Sequence, residues 1–213
     1  MKGLRRVYYD IFSRFYDGFI ALHSRDTQGT ARTFLVERVP VQNGDSVLDL
    51  CTGTDTLLTY LQEKVGTSGQ VVGVDFSPGM LKIAERRTRN LPNVVLVRAD
   101  ADSLPFASEI FDAVTCSHAF YELKGETQKR VLQEIVRILR PGGAFLMMEH
   151  DVPSNPFVRT LFYFRLAFIG GGLAMTFLRH EQEVLEDYFG RVEKVVAPAG
   201  RSKILICQKL CRM

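Results

Sequence analysis

The sequence contains no tryptophan, four histidines and four cysteines, and no two cysteines are spaced as Cys-x-x-Cys. Cys51, Cys116, Cys207 and Cys211 therefore offer neither a paired zinc motif nor a disulfide frame, and they read as reduced core or surface thiols of a cytoplasmic protein. A strong charge of one sign is also missing. Lys and Arg number 27 against 24 Asp and Glu, a net charge of +3, and the basic residues are scattered apart from Arg5-Arg6 and the stretch 82–89. Charge alone thus gives no argument for a nucleic-acid partner. The N-terminus carries Lys2, Arg5 and Arg6 without an apolar run and cleavage site, so no secretory signal is expected. One apolar stretch, 157–178, approaches spanning length, but Arg159, Arg165 and Gly170-Gly171-Gly172 interrupt it and make it a poor membrane span. Repeats, low-complexity tracts and linkers are lacking too, which leaves one domain over residues 1–213.

What is present suffices for a full core. Hydrophobic residues make up 46% and charged residues 24% of the 213, ordinary values for a globular chain that needs no staple. The stretch Ser46-Val-Leu-Asp-Leu-Cys-Thr-Gly-Thr-Asp55 runs from apolar residues into a polar turn, and Leu57, Leu58 and Leu61 then recur at helical spacing. A strand, a tight turn and a helix N-terminus follow one another there, which is where α/β sheets collect ligands. Strands are expected at 46–51, 70–75, 93–97, 111–116, 144–149, 192–196 and 203–208. Helices are expected at 56–65, 78–88, 124–139 and 181–189, with Ser77 as a cap before Pro78 and Arg140-Pro-Gly-Gly143 as a sharp stop. The alternation implies an α/β fold: a doubly wound, mostly parallel seven-stranded Rossmann-like sheet with an antiparallel C-terminal edge strand. Apolar residues at helical spacing over 4–22 suggest a helical N-terminal lid (1–40), ahead of a ligand-binding core (41–151) and a closing segment (152–213).

Polar residues stand where the strands end. Asp49 with Thr52 and Gly53, then Asp75, Asp100, and Ser117 with His118 would lie along one edge of such a sheet and form an acidic crevice. A lone aspartate after a strand is more often a cap or turn residue than a ligand contact, but three in succession favour a site. Asp75 lies about 20 residues beyond the glycine turn, placed for both hydroxyls of a ribose. The turn has a single glycine rather than GxGxxG, and no basic residue for a pyrophosphate. The ligand suggested is a nucleoside with a cationic or zwitterionic tail.

These residues carry a resemblance. Asp49-Leu-Cys-Thr-Gly-Thr resembles the first motif of class I S-adenosylmethionine-dependent methyltransferases. Val72-Gly-Val-Asp75-Phe-Ser-Pro-Gly-Met80-Leu, Arg98-Ala-Asp100-Ala-Asp-Ser-Leu-Pro-Phe106, Phe111-Asp-Ala-Val-Thr-Cys-Ser117 and Leu139-Arg-Pro-Gly-Gly143 resemble the later ones, in order and at family spacing. With Tyr8-Tyr-Asp-Ile-Phe-Ser-Arg-Phe-Tyr16-Asp, the wording is most similar to the UbiE/COQ5 branch, which methylates ring carbons of quinone precursors. The resemblance implies S-adenosylmethionine as cofactor. It places Thr52 and Gly53 by the methionine portion, Asp75 on the ribose, Phe76 and Met80 beside the adenine, Asp100 on its amino group and the Ala101 amide on its ring. Ser117 would sit by the transferable methyl and Tyr16 would cover the cofactor. Phe76 and Met80 have an equal reading as core packing.

Catalysis then needs alignment, exclusion of water and, for a carbon or phenol acceptor, removal of a proton. His118, Tyr121, Glu122, Glu149 and His150 follow strands four and five, and His118 and Tyr121 are the leading candidates, each also readable as a packing or orienting residue. Phe157, Leu161, Phe162, Phe164, Leu166, Phe168 and Ile169 pack a core or wall off a small lipophilic acceptor met at the inner membrane surface, with Arg159 and Arg165 near head groups. Neither a metal site nor a nucleic-acid base motif such as Asn-Pro-Pro-Tyr is present, and monomer and homodimer both stay open. The family usually carries glycine at Asp55. A carboxylate there favours the helix N-terminus by about 0.3–1 kcal/mol but sets bulk and charge against the ligand's carboxylate. The competing expectation is therefore a methyltransferase-like protein that binds cofactor weakly and serves as a scaffold.

Overall fold

Val47, Leu48 and Leu50 of β1 (Ser46–Leu50) are completely buried, and β2 (Gln70–Asp75) and β4 (Phe111–Ser117) are nearly so. Apolar runs of this kind belong to strands covered on both faces. The structure is a computed structural model that describes residues 30–55, 57–123, 125–151, 160, 172–198 and 202–211. The expected lid over 4–22, Tyr16 within it, and the aromatic run 157–169 apart from Thr160 lie outside the described residues.

The other elements among the described residues are α1 (Thr30–Arg38), α2 (Leu58–Val65), α3 (Pro78–Thr88), β3 (Val94–Arg98), a 3-10 turn (Phe120–Glu122), α4 (Glu126–Ile138), β5 (Leu139–His150), α5 (Gly172–Glu186), β6 (Arg191–Val196) and β7 (Ser202–Gln208). They form one seven-stranded sheet in the order β3-β2-β1-β4-β5-β7-β6. The strands β1 to β5 pair in parallel. β7 runs antiparallel to both of its neighbours, which leaves β6 as the outermost strand. The chain winds outward through β1, β2 and β3, then returns to place β4 on the other side of β1. Their registers bring Leu50 opposite Cys116.

Each face has its own core. On one, Leu48, Leu50, Val114, Phe145 and Leu205 pack with Val131, Leu132, Ile135 and Ile138 of α4 and Leu185 of α5. Those α4 positions recur at helical spacing, the pattern of a single buried stripe. On the other, Val47, Val71, Leu146 and Ile204 pack with Leu61 and Val65 of α2 and with Leu35 and Val36 of α1. Leu35 and Val36, within the stretch 1–40 expected as a lid, are thus buried in this core. Ser77 caps α3 as expected, its Oγ accepting from the Met80 amide at 3.2 Å.

Two boundaries differ from expectation. α4 stops at Ile138, just before Arg140-Pro-Gly-Gly143, but β5 starts at Leu139 rather than Ala144: Leu139 already sits opposite Phe111, and the chain passes through a register shift, with φ of +77° at Gly142, before Ala144 pairs with Ala113. α5 is kinked at His180 (φ −118°), so its second part begins at Glu181 as expected, but a helical stretch from Gly172 precedes it and it ends at Glu186 rather than Phe189. Among the described residues no helix is long and apolar enough to cross a membrane.

Candidate active site

Beyond Leu50 the chain turns through 51–55 with φ of 57° at Cys51, 60° at Gly53 and 69° at Asp55. Alternate residues are left-handed, a conformation natural to glycine and disfavoured by about 1–2 kcal/mol for most L residues. Two bonds tie this turn to the end of β2. The Thr52 amide donates to the Val74 carbonyl at 2.9 Å, and the Gly53 amide donates to Asp75 Oδ2 at 3.0 Å. Asp75 Oδ1 accepts from the Ser77 amide at 2.8 Å. Burial pushes the Asp75 carboxyl up to about 6, with Glu122 adding to the rise and the surrounding amides opposing it.

Asp49 and Asp55 take other directions. Asp49 lies beneath the turn, where Thr115 Oγ1 donates to its Oδ1 at 2.7 Å, and burial pushes its carboxyl up to about 7. Asp55 Oδ1 accepts from the Leu58 amide at 3.0 Å and its Oδ2 from Thr59 Oγ1 at 3.3 Å. It therefore supplies the cap that Leu57, the residue before α2, does not provide. Burial raises its pKa and these bonds oppose the rise.

Across from the turn, β4 ends at Ser117 and His118 follows with φ of 51°. The His118 amide donates to the Met148 carbonyl at 2.8 Å, its Nε2 lies 3.5 Å from Ser202 Oγ, and its ring centroid is 4.6 Å from that of His150. Nδ1 is buried with no hydrogen-bond partner among the described residues. Burial, then the nearby His150 and Arg32, hold the imidazole well below its ordinary pKa, so it is neutral around pH 7.

An open cleft of about 180 Å³ lies between these strand ends. It brings together Gly53, Asp75, Phe76, Met80, Asp100, Ala101 and His118 of the residues singled out in the sequence. Asp49 and Thr52 are buried and lie outside its lining, as do Ser117 and Tyr121. Tyr121 stands instead by His150, with ring centroids 6.0 Å apart. Asp55 does not line the cleft either. Glu122, weighed from the sequence only as a base, lines the cleft together with Cys51, Ala119, Asp102, Leu123 and Thr127. The last two come from the approach to α4 and its first turn, where no strand-end pattern points.

The lining is chemically one-sided. Val74, Phe76, Met80, Ala99, Ala101, Ala119 and Leu123 make apolar walls, and Asp75, Asp100, Asp102 and Glu122 supply four carboxylates. Asp102 also pairs with Arg130 at 2.9 Å. No lysine or arginine is among the described lining residues. Such a cleft suits a nucleoside with a cationic centre and repels a pyrophosphate. S-adenosylmethionine has that chemistry.

The model of the ubiE/COQ5 methyltransferase family matches residues 2–181. A demethylmenaquinone methyltransferase of Oceanobacillus iheyensis is 31% identical over 213 residues, covering 95% of this chain and 88% of its own length. Another, of Staphylococcus saprophyticus, is 30% identical over 171 residues, covering 79% of this chain and 72% of its own. The crystal structure of a SAM-dependent methyltransferase from Aquifex aeolicus shares the fold with a TM-score of 0.65, over 84% of this chain and 89% of that one, at 19% identity.

Proposed function

The chain belongs to the ubiE/COQ5 methyltransferase family and is an S-adenosylmethionine-dependent methyltransferase, and on that premise we propose that it methylates a ring carbon of a small lipophilic quinol of the demethylmenaquinone type. The observation that carries the placement of the cofactor is the cleft lining, apolar with four carboxylates and no described lysine or arginine. The relatives named as demethylmenaquinone methyltransferases support the acceptor class.

When bound, S-adenosylmethionine supplies a methyl group on a cationic sulfur. In this reading Asp75 holds the ribose hydroxyls, and Phe76 and Met80 flank the adenine. Asp100 accepts from the adenine amino group and the Ala101 amide donates to its ring. Gly53 and Thr52 lie by the methionine portion, Ser117 by the reacting end, and Tyr16 covers the cofactor. Asp49 supports the turn from below.

A quinol carbon becomes a nucleophile when the neighbouring hydroxyl gives up its proton. His118 is the group on the cleft wall to receive it. Its imidazole is held neutral, and in the tautomer whose Nε2–H donates to Ser202 Oγ the unprotonated Nδ1 is the atom left for the proton. The oxygen's electron pair would move into the ring, the ring carbon would take the methyl group as the sulfur–methyl bond breaks and leaves its electron pair on a neutral sulfur, and the same ring carbon would then lose its own hydrogen to water as a proton, which restores the ring. Tyr121, beside His150, orients the acceptor.

The test is a screen of reduced short-chain quinones, phenols and amines with S-adenosylmethionine, with the methylated position read by NMR. Carbon methylation of the reduced quinone is expected, and His118→Ala should lower kcat by about 10²–10⁴, far more than it weakens cofactor binding. Methylation confined to oxygen or nitrogen acceptors overturns the proposal.

A further inference from the structure

Glu149 closes the apolar run of β5 and is completely buried, an expensive place for a carboxyl group unless it is bonded. Its Oε1 accepts from the Phe120 amide at 2.9 Å and from the Tyr121 amide at 3.2 Å. These amides open the 3-10 turn Phe120–Glu122, whose preceding residue, Ala119, provides no side-chain cap. A strand end thus caps a turn from the neighbouring segment of the sheet. The other oxygen, Oε2, is buried without a hydrogen-bond partner among the described residues.

The turn matters because of what surrounds it. His118, Ala119, Glu122 and Leu123 form one wall of the cleft, yet β4 ends at Ser117. Lys203 stands opposite Glu149 on β7, but its ammonium is bonded to Glu181 of α5. Glu149 is therefore turned to the amides of the wall. Burial, with Glu181 and Glu122 adding to it, pushes its carboxyl up to about 8 against the pull of the amides. Near neutral pH it is mostly the uncharged acid, and its carbonyl oxygen accepts as a glutamine side chain would.

We propose that Glu149 is a positioning residue for cofactor binding: by accepting the Phe120 and Tyr121 amides it holds the 118–123 wall in register with the turn after β1. This deepens the assignment of the cleft to S-adenosylmethionine and rests on it.

Isothermal titration of the full chain with S-adenosylmethionine tests it, because Kd does not depend on the folded fraction that the stoichiometry reports. Glu149→Leu removes the acceptor, and Glu149→Asp keeps a carboxyl but withdraws it by one methylene, so the proposal does not hang on one variant folding. Each should weaken binding about tenfold, while Glu149→Gln, which retains the carbonyl, should stay within about threefold of the parent. Asp75→Ala is run alongside. If Asp75→Ala leaves Kd unchanged, the cleft assignment fails and the proposal falls with it. If Asp75→Ala weakens binding while Leu or Asp at 149 binds as the parent does, positioning alone is overturned. Weak binding by Glu149→Gln equal to that of Glu149→Leu also overturns it.

Discussion

Asp49 in β1 and Asp55 in the turn that follows stand six residues apart, and their surroundings give them different tasks. Asp49 has lost its water, so its native pKa of about 7 lies above the ordinary 3.8. The native state holds that proton more tightly than the unfolded chain does. Its contribution to stability is therefore complete below about pH 4 and is lost as pH rises through 7. From pH 5 to pH 8 the loss amounts to roughly 2–3 kcal/mol. Asp49→Asn keeps an acceptor for Thr115 and abolishes the titration. In denaturant unfolding, the variant's stability relative to the parent should rise between pH 5 and pH 8 by an amount of that order. An unchanging difference would show that Asp49 titrates as an exposed residue does. The sequence marks both aspartates as notable but not where they point. At Asp55 a left-handed φ carries the carboxylate to the N-terminus of α2, where it caps the helix.

Elements meet through contacts of a different kind. α5 and β7 are joined by a buried ion pair between Glu181 and Lys203, whose side chains are 6% and 1% exposed. Burial raises the Glu181 pKa, and Lys203 opposes the rise. Removing one partner strands the other, whereas replacing both leaves no buried charge. Lys203→Met should destabilise the fold by about 3–5 kcal/mol, and adding Glu181→Leu should recover most of the loss. A double-mutant cycle from chemical unfolding measures this, and strictly additive losses would sink the idea of a coupled pair. Neither residue stands out in the sequence, because Lys203 sits in a strand pattern and Glu181 in a helix among other acidic residues. The strands themselves were legible within about two residues for β1 to β4, where continuous apolar runs leave little choice. β5 was not, since the proline and glycines of 141–143 mark a helix stop locally while Leu139 is already paired with Phe111.

On the scale of the whole molecule, the cleft draws on the turn after β1, on β2 and the start of α3, on the segments after β3 and β4 and on the start of α4, so a ligand that fills it links much of the sheet's edge. S-adenosylmethionine at 100 times its Kd should add about 2.7 kcal/mol to stability, a rise in Tm of about 5–10 °C for a chain of this size. Calorimetry with S-adenosylmethionine and with ATP at equal concentration separates the charge preference. A comparable rise with ATP would contradict the acidic character of the cleft. By itself, the sequence determined the alternation of strands and helices, the parallel winding, and the placing of Asp75, Asp100 and His118 at strand ends, because burial on two faces and helix caps are patterns of neighbouring residues. Only the tertiary structure decided that Asp49 sinks under the turn, that Glu122 and Leu123 reach the cleft, and that Glu149 is bonded to the wall facing it. Those outcomes depend on strand order and register, which join residues as distant as Asp49 and Thr115, 66 positions apart, and no local pattern of side chains encodes which distant partner a buried polar atom will meet.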